Sequence, residues 1–197
     1  NFKCFIDKDY SFLKLTKLPN CVILTDFKDL EAYLYEVHFI AKFLKLGIKT
    51  DKINAKKLLN EIFVMKFFGL LRMTSIDNNI NLSINTTNEK LSKYFEIDKD
   101  FSVTIIEDKY IDSVLQNSEY KIKKDRLLVL LRETALKYKT IQNRDIVHGK
   151  DALDLIKEVA HKLGFKKDNI ENVFWMSFEK AKLPTYKNLH TVVDFLK

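Results

Sequence analysis

Phe5-Ile6-Asp7-Lys8-Asp9-Tyr10 and Cys21-Val22-Ile23-Leu24-Thr25-Asp26-Phe27-Lys28-Asp29-Leu30-Glu31 are the two stretches on which the reading of this chain turns. Each is a short apolar run closed by carboxylates. Residues 1 to 7 alternate between apolar and polar positions, and 21 to 25 are continuously β-favouring after a Pro19-Asn20 turn, so both are predicted strands. The connection from Tyr10 to Leu18 is too short for an ordinary crossover helix, which leaves the mutual orientation of the strands open. Paired at one sheet edge, they would deliver Asp7, Asp9, Asp26, Asp29 and Glu31 to the same end.

Working outward, apolar residues from Leu30 to Leu44 recur at helical spacing between Asp26 and Gly47, which predicts one helix. A second helix runs from about Asp51 or Asn54 into Gly69. Asp77-Asn78-Asn79 between two β-like runs predicts a hairpin near 70–84. Thr87 to Tyr94 reads as a short helix and Ile97 to Phe101 as a polar connection. Thr104–Leu115, Lys124–Tyr138, Lys150–Leu163, Asn169–Lys180 and Thr185–Leu196 all show amphipathic helical periodicity. The expected layout is α/β, with a strand-and-helix segment over 1–50 and a mainly helical extension over 51–197.

The 197 residues suffice for a core without disulfide or metal staples, and 46% hydrophobic with 31% charged residues excludes a disordered chain. Cys4 and Cys21 lie in strand-like runs without metal or redox spacing, which predicts buried thiols in a reducing cytoplasm. The apolar run Ile62–Leu71 is broken by Lys66 and too short to cross a bilayer, so no membrane association is expected. A net charge of +7 permits an acidic partner such as nucleic acid, although only four of the basic residues are arginines.

For chemistry, Asp7 and Asp9 would project to one side of an extended strand and present two hard oxygen ligands to Mg²⁺ or Mn²⁺, provided the strand continues to Asp9. The competing reading makes them strand-terminating turn residues. Asp26 and Glu31 would join the same edge, where ligands collect in open α/β sheets. Here too a plainer role exists: Asp26 as helix N-cap, with Asp29 and Glu31 complementing the helix terminus, which is the preferred reading for Asp29. His148-Gly149-Lys150-Asp151 lacks a phosphate-cradling glycine loop and reads as a turn into a helix. His38, His161 and His190 show no metal spacing, and Phe174, Trp175 and Phe178 fit one buried helix face.

Ile-Asp-Lys-Asp-Tyr over 6–10, Leu-Thr-Asp-Phe-Lys-Asp-Leu-Glu-Ala-Tyr-Leu over 24–34, and His-Gly-Lys-Asp-Ala-Leu over 148–153 together resemble the bacterial domain-of-unknown-function family 4435. That family is TOPRIM-like, related to the overcoming-lysogenization-defect nucleases and similar to the PARIS nuclease subunit. The resemblance implies a partial TOPRIM-like sheet and Mg²⁺- or Mn²⁺-dependent nuclease activity in an anti-phage system with an ABC-type ATPase partner. It implies Asp7 and Asp9 as D-x-D metal ligands, Glu31 as a further acidic site residue and Lys150 as a phosphate-facing lysine. It also implies a glutamate in a Val-Glu-Gly-like turn after an earlier strand, which has no counterpart in these residues, so the site is expected to be incomplete within this stretch. The alternatives are a non-catalytic interaction module of a defence complex and a metal-independent nucleic-acid-binding domain.

Overall fold

The computed structural model describes residues 2–10, 13, 17–84 and 91–195. Strands β1 (Cys4–Ile6) and β2 (Val22–Leu24) pair in parallel, with Cys4 opposite Val22 and Ile6 opposite Leu24. This register settles their orientation and brings both carboxyl ends to one edge. Beyond the ladder the two chains stay tied. Thr25 donates its amide to Ile6 O at 2.9 Å, Lys8 donates its amide to Thr25 Oγ1 at 2.8 Å, and Asp9 donates its amide to Lys28 O at 2.7 Å. Thr25 is buried, and its hydroxyl donates to Phe27 O at 2.6 Å. Cys4 is exposed on the outer face of β1 rather than buried, since residues 4 and 6 share that face while Phe5 turns inward.

The single helix expected from Phe27 onward does not form. Residues 25–30 are an irregular loop because the Lys28 amide and carbonyl are engaged by Arg144 O and the Asp9 amide. A 3₁₀ turn over Glu31–Leu34 follows, then α1 (Val37–Lys42), which continues into a π-helical turn over Phe43–Gly47. Helix α2 (Ala55–Val64) starts where Asn54 Oδ1 accepts from the Lys57 amide at 2.8 Å, and α3 (Lys66–Asp77) follows after a break at Met65.

The hairpin expected near 70–84 is likewise replaced. Helix α3 runs through Asp77, and Asn79 turns the chain at φ 52°. The hairpin lies instead between β3 (Phe95–Ile97) and β4 (Val103–Ile105), which are antiparallel. Asp98 Oδ1 closes its turn by accepting the amides of Asp100 and Ser102, each at 2.8 Å. Of the short helix expected at 87–94, residues 87–90 lie outside the described residues, and Leu91–Tyr94 form a 3₁₀ turn.

Helices α4 (Glu107–Asn117), α5 (Lys124–Lys137), α6 (Asn143–Ile146), α7 (Gly149–Lys162), α8 (Ile170–Trp175) and α9 (Lys187–Phe195) complete the chain. Helix α8 stops at Trp175, short of the expected Lys180. Helix α7 buries Ala152, Leu153, Leu155, Ile156, Val159 and Ala160, an apolar stripe wide enough to meet α2 on one side and α8 on another. One continuous core runs from Ala32 to Tyr186, so the strand-bearing segment and its helical extension share the same interior. Among the described residues no helix is long and apolar enough to cross a membrane.

Candidate functional site

The carboxyl ends of β1 and β2 meet the amino terminus of α7 around a cleft of ≈ 350 Å³ lined by Asp7, Asp9, Lys28, Asp29, Glu31, His148 and Lys150. Asp7, Asp9, Glu31 and Lys150, all expected from the sequence, are brought together here. The premise that paired Asp7 with Asp9 does not hold: β1 ends at Ile6 and the chain turns at Asp9 with φ 45°, so the two carboxylates are not carried on one side of an extended strand.

Asp26, also expected in the metal set, is absent from the cleft lining and has another task. Its Oδ1 accepts the Asn188 amide at 2.9 Å and its Oδ2 the Leu189 amide at 3.1 Å, while Tyr33 donates its hydroxyl to Oδ2 at 2.7 Å. It therefore caps α9, an element 162 positions away, instead of the helix expected just after it.

Asp29 both caps locally and belongs to the cleft. Its Oδ1 accepts the Ala32 amide at 3.2 Å, and its Oδ2 accepts the Gly149 amide at 2.7 Å, fastening the loop after β2 to the first turn of α7. Burial pushes its carboxyl up to about 6, opposed by Lys28 and by the Gly149 and Ala32 amides. Burial also raises Glu31, and the Asp7 charge adds to that shift. Gly149 is required for Glu31 to lie here: a Cβ at 149 would come within 2.5 Å of Glu31 Oε2.

Two residues of the cleft to which the sequence reading gave no site role are Lys28 and His148. Lys28, 2% exposed, places Nζ 2.7 Å from Asp9 Oδ1, 3.7 Å from Asp29 Oδ2 and 4.6 Å from the centre of the Tyr10 ring. Its signal in the sequence was a lone lysine inside an otherwise apolar and acidic run. His148 is the N-cap of α7, its Nδ1 accepting the Lys150 amide at 3.2 Å. Burial, followed by the charges of Lys28 and Arg72, holds its imidazole down to about 4, which keeps it neutral and an acceptor at pH 7. The turn into a helix expected at 148–151 is thus what forms, and Asp151 in its first turn pairs with Arg72 beneath the cleft.

The donors are hard carboxylate oxygens. Among the described residues no three His, Cys, Asp or Glu side chains converge to hold a metal. The chain matches no family model, no curated protein and no solved structure.

Proposed function

We propose that this cleft serves metal-assisted phosphodiester hydrolysis, as part of a nuclease of a bacterial anti-phage system acting on DNA or RNA beside an ABC-type ATPase. The observation that carries the reading is the parallel register of β1 and β2, which sets Asp7 and Glu31 around one cleft with Lys150 at its rim. The donor set suits Mg²⁺ or Mn²⁺: Mg²⁺ takes one or two carboxylates and fills its remaining positions with water and substrate phosphate oxygens. Bound there, the ion would supply Lewis-acid stabilisation of phosphoryl charge and acidify the attacking water.

The chain's own groups have separate parts. Asp7 and Glu31 hold the ion, the latter in the space that Gly149 leaves open. Exposed Lys150 meets the phosphate backbone. His148 fixes the first turn of α7 and, with Nδ1 already accepting an amide, takes no part in proton transfer through that atom. Asp7→Asn in the full-length protein is expected to abolish Mg²⁺-dependent cleavage of DNA and RNA, and undiminished cleavage by a clean preparation of that variant sinks the proposal.

A second reading, a non-catalytic interaction module of a defence complex, draws support from the lack of three convergent ligands among the described residues. It predicts no Mg²⁺ or Mn²⁺ binding at millimolar concentration.

A further inference from the structure

Helix α5 has an outer face that no other element among the described residues covers. Its inner side packs on α3 and α4 and buries Leu127, Leu130 and Thr134. The opposite side carries Val129 and Leu136, 40% and 70% exposed, on one line about two turns apart. The charges beside that line stand out. Lys124 and Lys137 are taken up by carboxylates of neighbouring helices, the first by Asp108 and Asp112 and the second by Asp77. Arg72 and Arg144 are likewise paired, with Asp151 and Glu36. The other two arginines, Arg126 and Arg132, are exposed on α5 and form no ion pair among the described residues, and neither do Asp125 and Glu133.

At about 100° per residue, Asp125 and Arg132 fall on one flank of the line through Val129 and Leu136, and Arg126 and Glu133 on the other. Each flank has an acid at one end and a base at the other, in opposite order. A two-fold axis perpendicular to the helices sets each flank against itself with its direction reversed. Two copies of α5 laid antiparallel about Val129 therefore bring Asp125 to Arg132 of the second copy and Arg126 to Glu133 of the second copy. The same alignment lays Leu136 over residues 120–122 of the second copy, where Tyr120 is 46% exposed.

We propose that the outer face of α5 is a self-association surface, pairing antiparallel with α5 of a second copy of this chain. The pairing goes beyond the function proposed above and does not depend on it. Val129 and Leu136 supply the driving force by leaving water, and the flanking charges fix direction and register. One short helix from each copy buries little area, so the dimer is weak, with a dissociation constant on the order of tens of micromolar.

Sedimentation equilibrium of the intact chain at low salt, up to about 500 µM, tests this. Wild type is expected to dimerise, and Leu136→Glu to weaken the dimer by about tenfold or more. Asp125→Arg and Arg132→Asp each give one flank a single sign, so each variant alone should lose about fivefold or more in self-affinity. Mixed, they should form a one-to-one heterodimer at close to wild-type affinity, because the flank of one then opposes the other in sign. All three positions are exposed, so the variants should fold, and circular dichroism checks that they do. A wild type that stays monomeric throughout the range overturns the proposal and leaves this face to another partner. A dimer insensitive to Leu136→Glu overturns it by placing the contact elsewhere. A dimer broken by both charge variants but not restored by mixing them overturns the antiparallel pairing, since parallel helices would set each flank against the other one.

Discussion

Arg72 grips Asp151 with both terminal nitrogens, Nη2 lying 3.0 Å from Oδ1 and Nη1 bonded to Oδ2, and so locks α3 to the first turn of α7. Asp151 is 1% exposed, and the pairing outweighs burial to raise the guanidinium above its ordinary range.

Removing one partner strands a buried charge. Arg72→Met is expected to destabilise the protein by about 3–5 kcal/mol, whereas Arg72→Met with Asp151→Leu recovers most of that loss. Urea unfolding of both variants checks this, and a double variant as unstable as the single one would refute it.

Asp26→Ala should lower stability by about 1–2 kcal/mol through the lost cap and leave Mn²⁺ affinity unchanged. The damage should be local. Amide hydrogen exchange in Lys187–Phe195 should accelerate more than exchange in α7, since Asn188 and Leu189 lose their acceptor. An Mn²⁺ affinity that falls with this substitution would return Asp26 to the metal set.

Asp29 and His148 give stability opposite slopes against pH. The Asp29 carboxyl is raised from 3.8 to about 6, so its contribution is full below its unfolded value and lost as pH rises through about 6. His148 is lowered from 6.5 to about 4, so its contribution is present above 6.5 and lost as pH falls through about 4. Each amounts to at most about 3 kcal/mol, and between those limits they oppose one another. His148→Asn keeps a capping oxygen, so from pH 7 to pH 5 this variant should gain stability relative to wild type. Asp29→Asn should lose stability relative to wild type over the same interval. Urea midpoints at pH 7, 6 and 5 measure both slopes, and parallel curves for all three proteins would contradict the assignment.

Two glycines should respond differently to alanine. At Gly69 a Cβ would meet the Ile146 carbonyl oxygen at 2.0 Å, and backbone cannot rotate aside, so Gly69→Ala should cost about 2 kcal/mol or more. At Gly149 the obstacle is the Glu31 side chain, whose carboxylate can swing away. Gly149→Ala should therefore cost less stability but weaken Mn²⁺ binding by about tenfold. Calorimetry alongside thermal unfolding separates the two effects.

The strands were legible because β-favouring runs end in turn residues, and α5, α7 and α9 because their apolar spacing is uninterrupted. What local pattern could not show was competition from distant partners. The segment after Asp26 has helical periodicity, yet Arg144 O and the Asp9 amide capture Lys28 before a helix can include it. The 70–84 hairpin was a misreading of Asp77-Asn78-Asn79, which ends a helix. The β3–β4 hairpin was available in the alternation of Phe95 with Ile97 and Val103 with Ile105 around an aspartate turn. Within the cleft the acidic residues announced themselves by type. Their division of labour did not, since it depends on which carboxylate Lys28 reaches and on an α9 that lies 162 positions beyond Asp26.

The bond from the Gly149 amide to Asp29 closes a loop of 120 positions. A chain emerging from the ribosome therefore displays Asp7 and Glu31 long before the start of α7 can reach them. Until then the polypeptide has the acidic residues but no cleft. The pocket arises in the same closure that seats α7 against the core, which ties the birth of the site to a long-range step of folding.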